Sequence, residues 1–278
     1  MNVKTKLNLA VCQMTSSDDE QKNFSQINDL LSKENEHFDL ICFPENSLYM
    51  RIQEGEKIQG LELSNPVFAQ ASELAIQKKS ALHFGSLPLR IDGHLRNASV
   101  FVTADGKIKP SYYKIHLFDI DLEGQAPVRE SDIYTHGEEP KILEVEGWHI
   151  GQTICYDLRF SELFSYYAQH SVEMILVPAS FLVKTGHAHW EVLLRARAIE
   201  SQAYVIAAAQ AGTHTGKKTG SRETYGHSLI IDPWGQILKE AKTMGPELLK
   251  YELELNRVQA VRKQIPMRQH RRMVQMKR

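Results

Sequence analysis

The sequence has few cysteines, and they form no pattern that would bind a metal. Its 278 residues include only Cys12, Cys42 and Cys155, and no two of these have C-x-x-C spacing. An odd number of unpatterned cysteines argues against a disulfide framework and against a structural zinc site. Reduced thiols are typical of the cytosol, so we expect a cytoplasmic protein.

Long apolar runs and an excess of one charge are missing as well. No stretch approaches the roughly 20 apolar residues that cross a bilayer, so we expect no membrane partner. Near the N-terminus only residues 9–12 form an apolar run, which is too short for the core of a signal peptide. The 33 basic and 34 acidic side chains give a formal net charge of -1, which favours no nucleic-acid partner.

The rest of the sequence alternates strand-like with helix-like segments. Strand-like segments occupy residues 7–14, 38–43, 81–87, 97–103, 149–157, 173–181, 203–210 and 247–255, and residues 226–240 predict two strands around a turn. Helical patterns begin near Asp19 and cover residues 64–79 and about 187–202. This alternation favours an α/β fold with a mixed sheet. Without an internal repeat or a biased linker, we expect one domain over residues 1–278.

Two segments fall outside this pattern. Residues 212–224 are rich in Gly, Thr and Lys, and we predict that they form a mobile surface loop near a site. Residues 262–278 carry seven basic side chains and are expected to form a solvated or subunit-contacting tail. Binding of nucleic acid by this tail is the alternative, but no recognised nucleic-acid-binding module accompanies the charge.

Three segments place reactive side chains where a strand meets a turn. Glu45 follows an apolar strand and a proline, and partial desolvation there would raise its pKa toward that of a general base. Lys114 lies among aromatic and aliphatic residues, and Cys155 ends a strand, where the following N–H groups can face an oxyanion. Each has a structural alternative: a capping acid, a snorkelling lysine and a core cysteine. Together they favour an active site, because a thiol needs a base and a cation to be an effective nucleophile at neutral pH.

These motifs resemble those of a known superfamily. FPE at residues 43–45, the lysine of YYKIHLFD and the cysteine of ICYDLRF are similar to the Glu-Lys-Cys motifs of the nitrilase, or carbon–nitrogen hydrolase, superfamily, in its order and spacing. The resemblance implies an α-β-β-α sandwich that pairs into homodimers or larger homo-oligomers. It also implies a reaction that needs no metal and no organic cofactor.

The resemblance implies a role for each side chain. Glu45 would be the general base, Lys114 the oxyanion stabiliser and Cys155 the nucleophile. The segment EGQAPVRES resembles the stretch that holds the family's second glutamate, here Glu130, which would orient Lys114 and help to place the substrate. The implied reaction hydrolyses a small linear amide to an acid and ammonia through a thioester. A catalytically silent binding member of the family is the alternative.

The choice of substrate is indicated by longer segments. Residues 185–212 and 225–238 look closest to amidases that act on deaminated glutathione, whereas KIHLFDID also resembles ω-amidases that act on α-ketoglutaramate-like monoamides. In this chain His187 occupies a position that is usually proline in those relatives, and we expect this change to loosen the loop before the helix.

An acidic amide needs donors for its carboxylate. Arg159, four residues after the nucleophile, and Arg222 are the candidates, and the backbone N–H of Tyr156 is the candidate second donor to the oxyanion. The alternatives are an internal ion pair for Arg159 and a solvated surface position for Arg222.

Two other kinds of site use histidine. A papain-like cysteine protease would pair the thiol with a histidine such as His187 or His227, but the C-G-S-C-W type of signature is missing. His187 and His189 could suggest a metal, but no third ligand follows at a recognisable spacing.

Overall fold

The computed structural model describes residues 3–53, 55–121, 127–218, 220–242 and 244–272. The helices within these ranges are α1 (Glu20–Ser32), α2 (Pro66–Lys78), α3 (Ser161–Gln169), α4 (Val183–Ser201), α5 (Leu255–Gln264) and α6 (Met267–His270). The strands of the first half are β1 (Lys6–Gln13), β2 (Leu40–Phe43), β3 (Ala81–Ile91), β4 (His94–Val102), β5 (Ile108–Tyr113), β6 (Asp119–Ile120) and β7 (Val128–Arg129). Those of the second half are β8 (Ile142–Val145), β9 (Trp148–Gln152), β10 (Met174–Leu176), β11 (Tyr204–Ala207), β12 (Ala211–Thr215), β13 (Ser221–Tyr225), β14 (Leu229–Ile231), β15 (Ile237–Glu240) and β16 (Glu247–Glu254).

Most of these strands form two six-stranded sheets. The strand orders are β16-β1-β2-β3-β4-β5 and β15-β14-β11-β10-β9-β8. Each sheet has a parallel centre, β1-β2-β3 in one and β9-β10-β11 in the other, with antiparallel strands outside it. In parallel strands the carboxyl ends lie on the same edge, so each sheet gathers the residues that follow its central strands at one edge.

Apolar side chains fill three layers. One layer packs α1 and α2 against the first sheet, with Phe24 and Phe68 among its buried members. The second lies between the two sheets and includes Trp148, and the third packs α3 and α4 against the second sheet through Tyr167 and Trp190. This is the α-β-β-α sandwich that the sequence led us to expect, and the prediction is confirmed. The single domain over the whole chain stays a prediction.

Cys12 and Cys42 belong to these apolar layers, as their positions within strands predicted. Both are buried free thiols, and burial raises the pKa of each above its usual range. Neither side chain is exposed enough for a substrate to reach it, so neither cysteine is placed to act as a nucleophile. In the described ranges no helix combines the length and the apolar character that a membrane span requires.

Residues 212–224 were predicted to form a loop. This prediction is wrong, because most of these residues form the antiparallel hairpin β12–β13. His214 pairs with Arg222 across the hairpin, and its buried ring contacts Ser16 O at 2.8 Å and Thr224 Oγ1 at 2.7 Å. Burial lowers the pKa of His214 to about 4, so the ring is neutral at pH 7. The Gly, Thr and Lys composition does not predict strands, because these strands are stabilised by the tertiary contact between His214 and Ser16.

Two boundaries near the predicted site also differ. The strand predicted at residues 149–157 ends at Gln152, and Cys155 instead begins a turn of 3-10 helix, Cys155–Arg159. Helix α4 begins at Val183, so His187 lies inside the helix and not in a loop before it. The expected loosening of a loop by His187 is therefore wrong.

The basic tail is only partly described, since residues 273–278 lie outside the described ranges. Its described part is not simply solvated. Arg262 donates to Val172 O at 2.6 Å, and Arg271 donates to Ser165 O at 3.3 Å and Glu200 O at 3.1 Å. Burial lowers the pKa of Arg262, which fits a guanidinium held among backbone carbonyls. These bonds tie the tail to α3 and α4 of its own chain.

Candidate active site

The three chemistry-bearing side chains come together because they follow strands whose ends meet. Glu45 follows β2, Lys114 directly follows β5, and Cys155 follows β9. All three line one cavity. Glu130, Tyr156, Arg159 and Arg222 line it too, so every site residue expected from the sequence lies in the same place.

Lys114 is the most enclosed charge of the cavity. Its Nζ lies 3.0 Å from Glu45 Oε1 and 2.8 Å from Glu130 Oε2, and its side chain is 2% exposed. A snorkelling lysine would keep its ammonium in water, so that alternative is wrong. Burial lowers the pKa of Lys114, but the two carboxylates outweigh burial and hold that pKa well above its usual range. The ammonium is therefore charged at any physiological pH.

Glu45 differs from the sequence expectation of a raised pKa. Burial raises the pKa of its carboxyl, but Lys114 together with hydrogen bonds from Cys155 and Asn97 lowers that pKa below the ordinary value. The prediction is wrong because it included the loss of water but not the cation that replaces it. Glu45 is thus a carboxylate at neutral pH and can accept a proton.

Cys155 has the opposite charge preference. Burial and the Glu45 carboxylate raise the pKa of the thiol well above its usual range, and Lys114 opposes them only in part. The resting site therefore combines a thiol, a carboxylate and an ammonium. A thiol with a raised pKa needs a base to take its proton before its sulfur can attack, and Glu45 lies within hydrogen-bond reach of this thiol.

The turn that carries Cys155 is strained. Its φ is +48°, in the left-handed region that residues with a Cβ rarely adopt. The backbone N–H of Cys155 donates to Pro178 O at 2.8 Å, which fixes the residue against the loop after β10. Such strain persists only where the surroundings determine the backbone, and it occurs often at active sites.

Asp157 holds the strained turn of Cys155 in place through several hydrogen bonds. It is fully buried and accepts hydrogen bonds from Ile154 N at 2.9 Å, Tyr112 Oη at 2.7 Å and His116 N at 3.0 Å. A fourth contact joins it to His116 Nδ1 at 2.7 Å. One carboxylate therefore ties the segment of Lys114 to the turn of Cys155.

Sequence reasoning missed Asp157, and it also missed Asn97. The Asn97 Nδ2 group donates to Glu45 Oε1 at 3.1 Å and to Glu130 Oε1 at 3.0 Å, so it bridges the two carboxylates. The sequence offered one sign of Asn97, namely a polar residue at the start of the apolar segment 97–103. The structure places Asn97 in β4. The contact itself depends on the tertiary fold and has no local pattern.

The predicted substrate-binding side chains lie at the wall of the cavity. The Arg159 Nη1 atom is 3.1 Å from His189 Nδ1, and its guanidinium carbon lies 5.8 Å from the Tyr156 ring centre and 5.6 Å from that of Phe181. Among the described residues Arg159 forms no salt bridge, so the internal ion pair has no support. Arg222 is half-buried at the cavity and is not simply a solvated surface residue.

A further cation that was not expected from the sequence, Arg51, also lines the cavity. It lies in a segment without regular secondary structure, where no periodic pattern marks function. The lining residues thus carry four cationic side chains against the two carboxylates of Glu45 and Glu130. This balance favours an anionic ligand.

The histidine alternatives receive no support from the geometry. His187 and His227 pack on Tyr225, with ring centres 4.8 Å and 4.4 Å away, and neither is among the residues that line the cavity. Across the part of the chain that the structure describes, no three His, Cys, Asp or Glu side chains are grouped as a metal site would require.

Comparison with known sequences gives a consistent result. The family model described as carbon–nitrogen hydrolase matches residues 8–263. Deaminated glutathione amidase of Yersinia enterocolitica is 34% identical over 272 residues, which cover 96% of this chain and 93% of that protein. The mouse protein of the same name is 37% identical over 273 residues, covering 95% and 83%.

Solved structures share the fold. The NitFhit protein of C. elegans superimposes with a TM-score of 0.87 and 32% identity, covering 98% of this chain and 66% of that one, just under two thirds of its length. Saccharomyces cerevisiae Nit3, described as a member of branch 10 of the nitrilase superfamily, gives a TM-score of 0.77 and 25% identity, covering 95% and 96%. The chain therefore belongs to the carbon–nitrogen hydrolase family, within the nitrilase superfamily. It is an enzyme that hydrolyses carbon–nitrogen bonds of amides.

Replacement of Asp157 tests whether its carboxylate holds the site together. Asp157→Ala leaves several buried N–H and O–H donors unpaired, so it should lower the free energy of unfolding by about 3 kcal/mol. Urea unfolding measures this change. Asp29→Ala, at an exposed position of α1, is the control and should change that free energy by less than about 0.5 kcal/mol. Equal stability of the two variants would contradict the role of Asp157.

Proposed function

We propose that this enzyme is a cysteine-dependent amidase for small, carboxylate-bearing linear amides of the deaminated glutathione type. The observation that carries the proposal is the enclosure of Glu45, Lys114 and Cys155 in one cavity whose wall carries arginines. The names of the relatives in Yersinia enterocolitica and mouse support this class of substrate.

In the first half-reaction Glu45 takes the proton of Cys155 as the sulfur attacks the amide carbonyl carbon. Lys114 Nζ and the backbone N–H of Tyr156 hold the oxygen that becomes negative. Preorganised donors of this kind lower a barrier by about 3–4 kcal/mol each. Glu45 then gives the proton to the leaving nitrogen, the carbon–nitrogen bond breaks, and a thioester remains on Cys155.

In the second half-reaction water replaces the leaving amine. Glu45 removes a proton from this water as its oxygen attacks the thioester carbonyl, and the same two donors hold the oxyanion. The carbon–sulfur bond breaks, and the proton returns from Glu45 to the sulfur. Glu130 assists throughout as a positioning residue, because its salt bridge to Lys114 and its hydrogen bond from Phe118 N at 2.7 Å hold the ammonium in place.

The cations of the cavity support an acidic substrate. Arg159 lies beside two aromatic rings and within hydrogen-bond distance of His189, and a guanidinium fixed in this way can still direct other N–H groups to a carboxylate. Deaminated glutathione carries two carboxylates, which suit the excess of cationic side chains. Its leaving group is the amine of a peptide, so the ammonia expected from the sequence would be released only from a primary amide such as α-ketoglutaramate.

Compartment and assembly belong to the same proposal. The three cysteines are free thiols, which supports function in the reducing cytoplasm.

Exposed Val192 and Ile199 on α4 support a homodimer or larger homo-oligomer, because exposed apolar groups on one helix are often covered by a second subunit. Sedimentation velocity would contradict this part if the 31.7 kDa chain were monomeric at micromolar concentration.

A panel of substrates tests the function. Wild type and Cys155→Ala are incubated with deaminated glutathione, α-ketoglutaramate, a simple nitrile and an N-carbamoyl amine, and the released amine or ammonia is measured. We expect Cys155-dependent turnover with deaminated glutathione as the best substrate. A preference for α-ketoglutaramate would make the protein an ω-amidase. Near-normal turnover by Cys155→Ala, or no turnover of any substrate by wild type, would contradict the proposal.

A second variant tests the carboxylate contact. Arg159→Met should lower kcat/KM for acidic amides about 10- to 100-fold, because a charge-assisted hydrogen bond is lost, and should affect a neutral amide far less. Arg195→Met, at an exposed position of α4 away from the cavity, is the matched control and should leave both values unchanged. Equal losses on acidic and neutral amides would remove Arg159 from substrate recognition.

A further inference from the structure

Ser180 has a side chain that the mechanism above does not use. It lines the cavity together with Glu45 and Cys155, and the residue is 7% exposed. Its Oγ atom is buried and has no hydrogen-bond partner among the residues that the structure describes. Buried hydroxyls in proteins are nearly always paired, so an unpaired one in the wall of an active site points to a contact with the substrate.

The backbone at Ser180 is held close to the reacting groups. Ala179 forms a parallel bridge with Ala209, and the carbonyl of Pro178 accepts a hydrogen bond from Cys155 N at 2.8 Å. The N–H of Ser180 donates to Glu45 Oε2 at 2.9 Å. The main chain of Ser180 is thus fixed beside both the nucleophile and the base, and only its hydroxyl is left without a function.

The two oxygens of Glu45 have different neighbours. Oε1 accepts hydrogen bonds from Lys114 Nζ at 3.0 Å and from Asn97 Nδ2 at 3.1 Å, whereas Oε2 accepts the bond from Ser180 N. In the proposed mechanism Lys114 holds the carbonyl oxygen of the substrate, which places that oxygen on the Oε1 side. The leaving nitrogen is then expected on the Oε2 side, next to the backbone N–H of Ser180.

We propose that the Ser180 hydroxyl accepts a hydrogen bond from the N–H of the scissile amide and so holds the leaving nitrogen beside Glu45. This inference rests on the proposed function, since it assumes an amide bound at Cys155. A hydroxyl oxygen has two lone pairs and can accept such a bond while its own hydrogen rotates away. The contact favours transfer of the proton from Glu45 to the nitrogen as the carbon–nitrogen bond breaks.

The test compares two substrates that carry different leaving groups on the same acyl group. Deaminated glutathione and the γ-methyl ester of α-ketoglutarate form the same acyl-enzyme, but the ester has no N–H to donate. Ser180→Ala should lower kcat/KM for the amide about tenfold and leave that for the ester within about twofold of wild type. Ser180→Thr, which keeps the hydroxyl, should retain the wild-type ratio of amide to ester activity.

Ser47→Ala is the matched control. Ser47 is also buried with an unpartnered hydroxyl, but it does not line the cavity, so this variant should leave both substrates unaffected. If Ser180→Ala fails to fold, Ser180→Cys, whose sulfur is a poorer acceptor, carries the same comparison. Equal losses on amide and ester, or no loss, would overturn the role of Ser180. If wild type hydrolyses neither substrate, the proposed function fails, and this inference fails with it.

Discussion

The site depends on one interaction, the enclosure of the Lys114 ammonium between the carboxylates of Glu45 and Glu130. A buried charge without partners is strongly destabilising, and removal of one partner from a buried pair typically costs about 3–5 kcal/mol. Here both anions lie within 3.0 Å of the ammonium, and Asn97 bridges them. The two carboxylates keep Lys114 charged, Lys114 in turn keeps Glu45 ionised, and the reactivity of Cys155 follows from that cluster.

This arrangement explains how a thiol with a raised pKa can still react. In the proposed mechanism Glu45 takes the proton from Cys155, so the carboxylate becomes neutral while a negative oxygen forms on the substrate beside Lys114. The ammonium thus exchanges one anionic partner for another, and the net charge of the enclosed site does not change. A low-dielectric cavity favours such a transfer, since no new net charge is brought into it. Asp157 and the strained backbone of Cys155 serve this exchange by fixing where the sulfur lies.

The features that could be predicted correctly from the sequence are those that local sequence patterns determine. Apolar strands and amphipathic helices marked the α/β fold. Glu45 and Cys155 were found because each stands at the end of a predicted apolar strand, and Lys114 was found because its segment resembles a motif of the family. Features produced by tertiary contacts were missed: the hairpin anchored by His214, the bridging role of Asn97 and the four contacts of Asp157 have no periodic signal. The sign of the Glu45 pKa shift was wrong for the same reason, because it depends on a cation 69 residues away.

Rapid-quench mass spectrometry of the wild type during its first turnover shows whether Cys155 carries the acyl group. Samples are quenched in acid, and the released amine or ammonia is measured together with the mass of the peptide that contains Cys155. We expect this peptide to gain the mass of the acyl group at the same rate as the amine appears. Release of one equivalent of amine while the Cys155 peptide stays unmodified, or an acyl group on another residue, would contradict it.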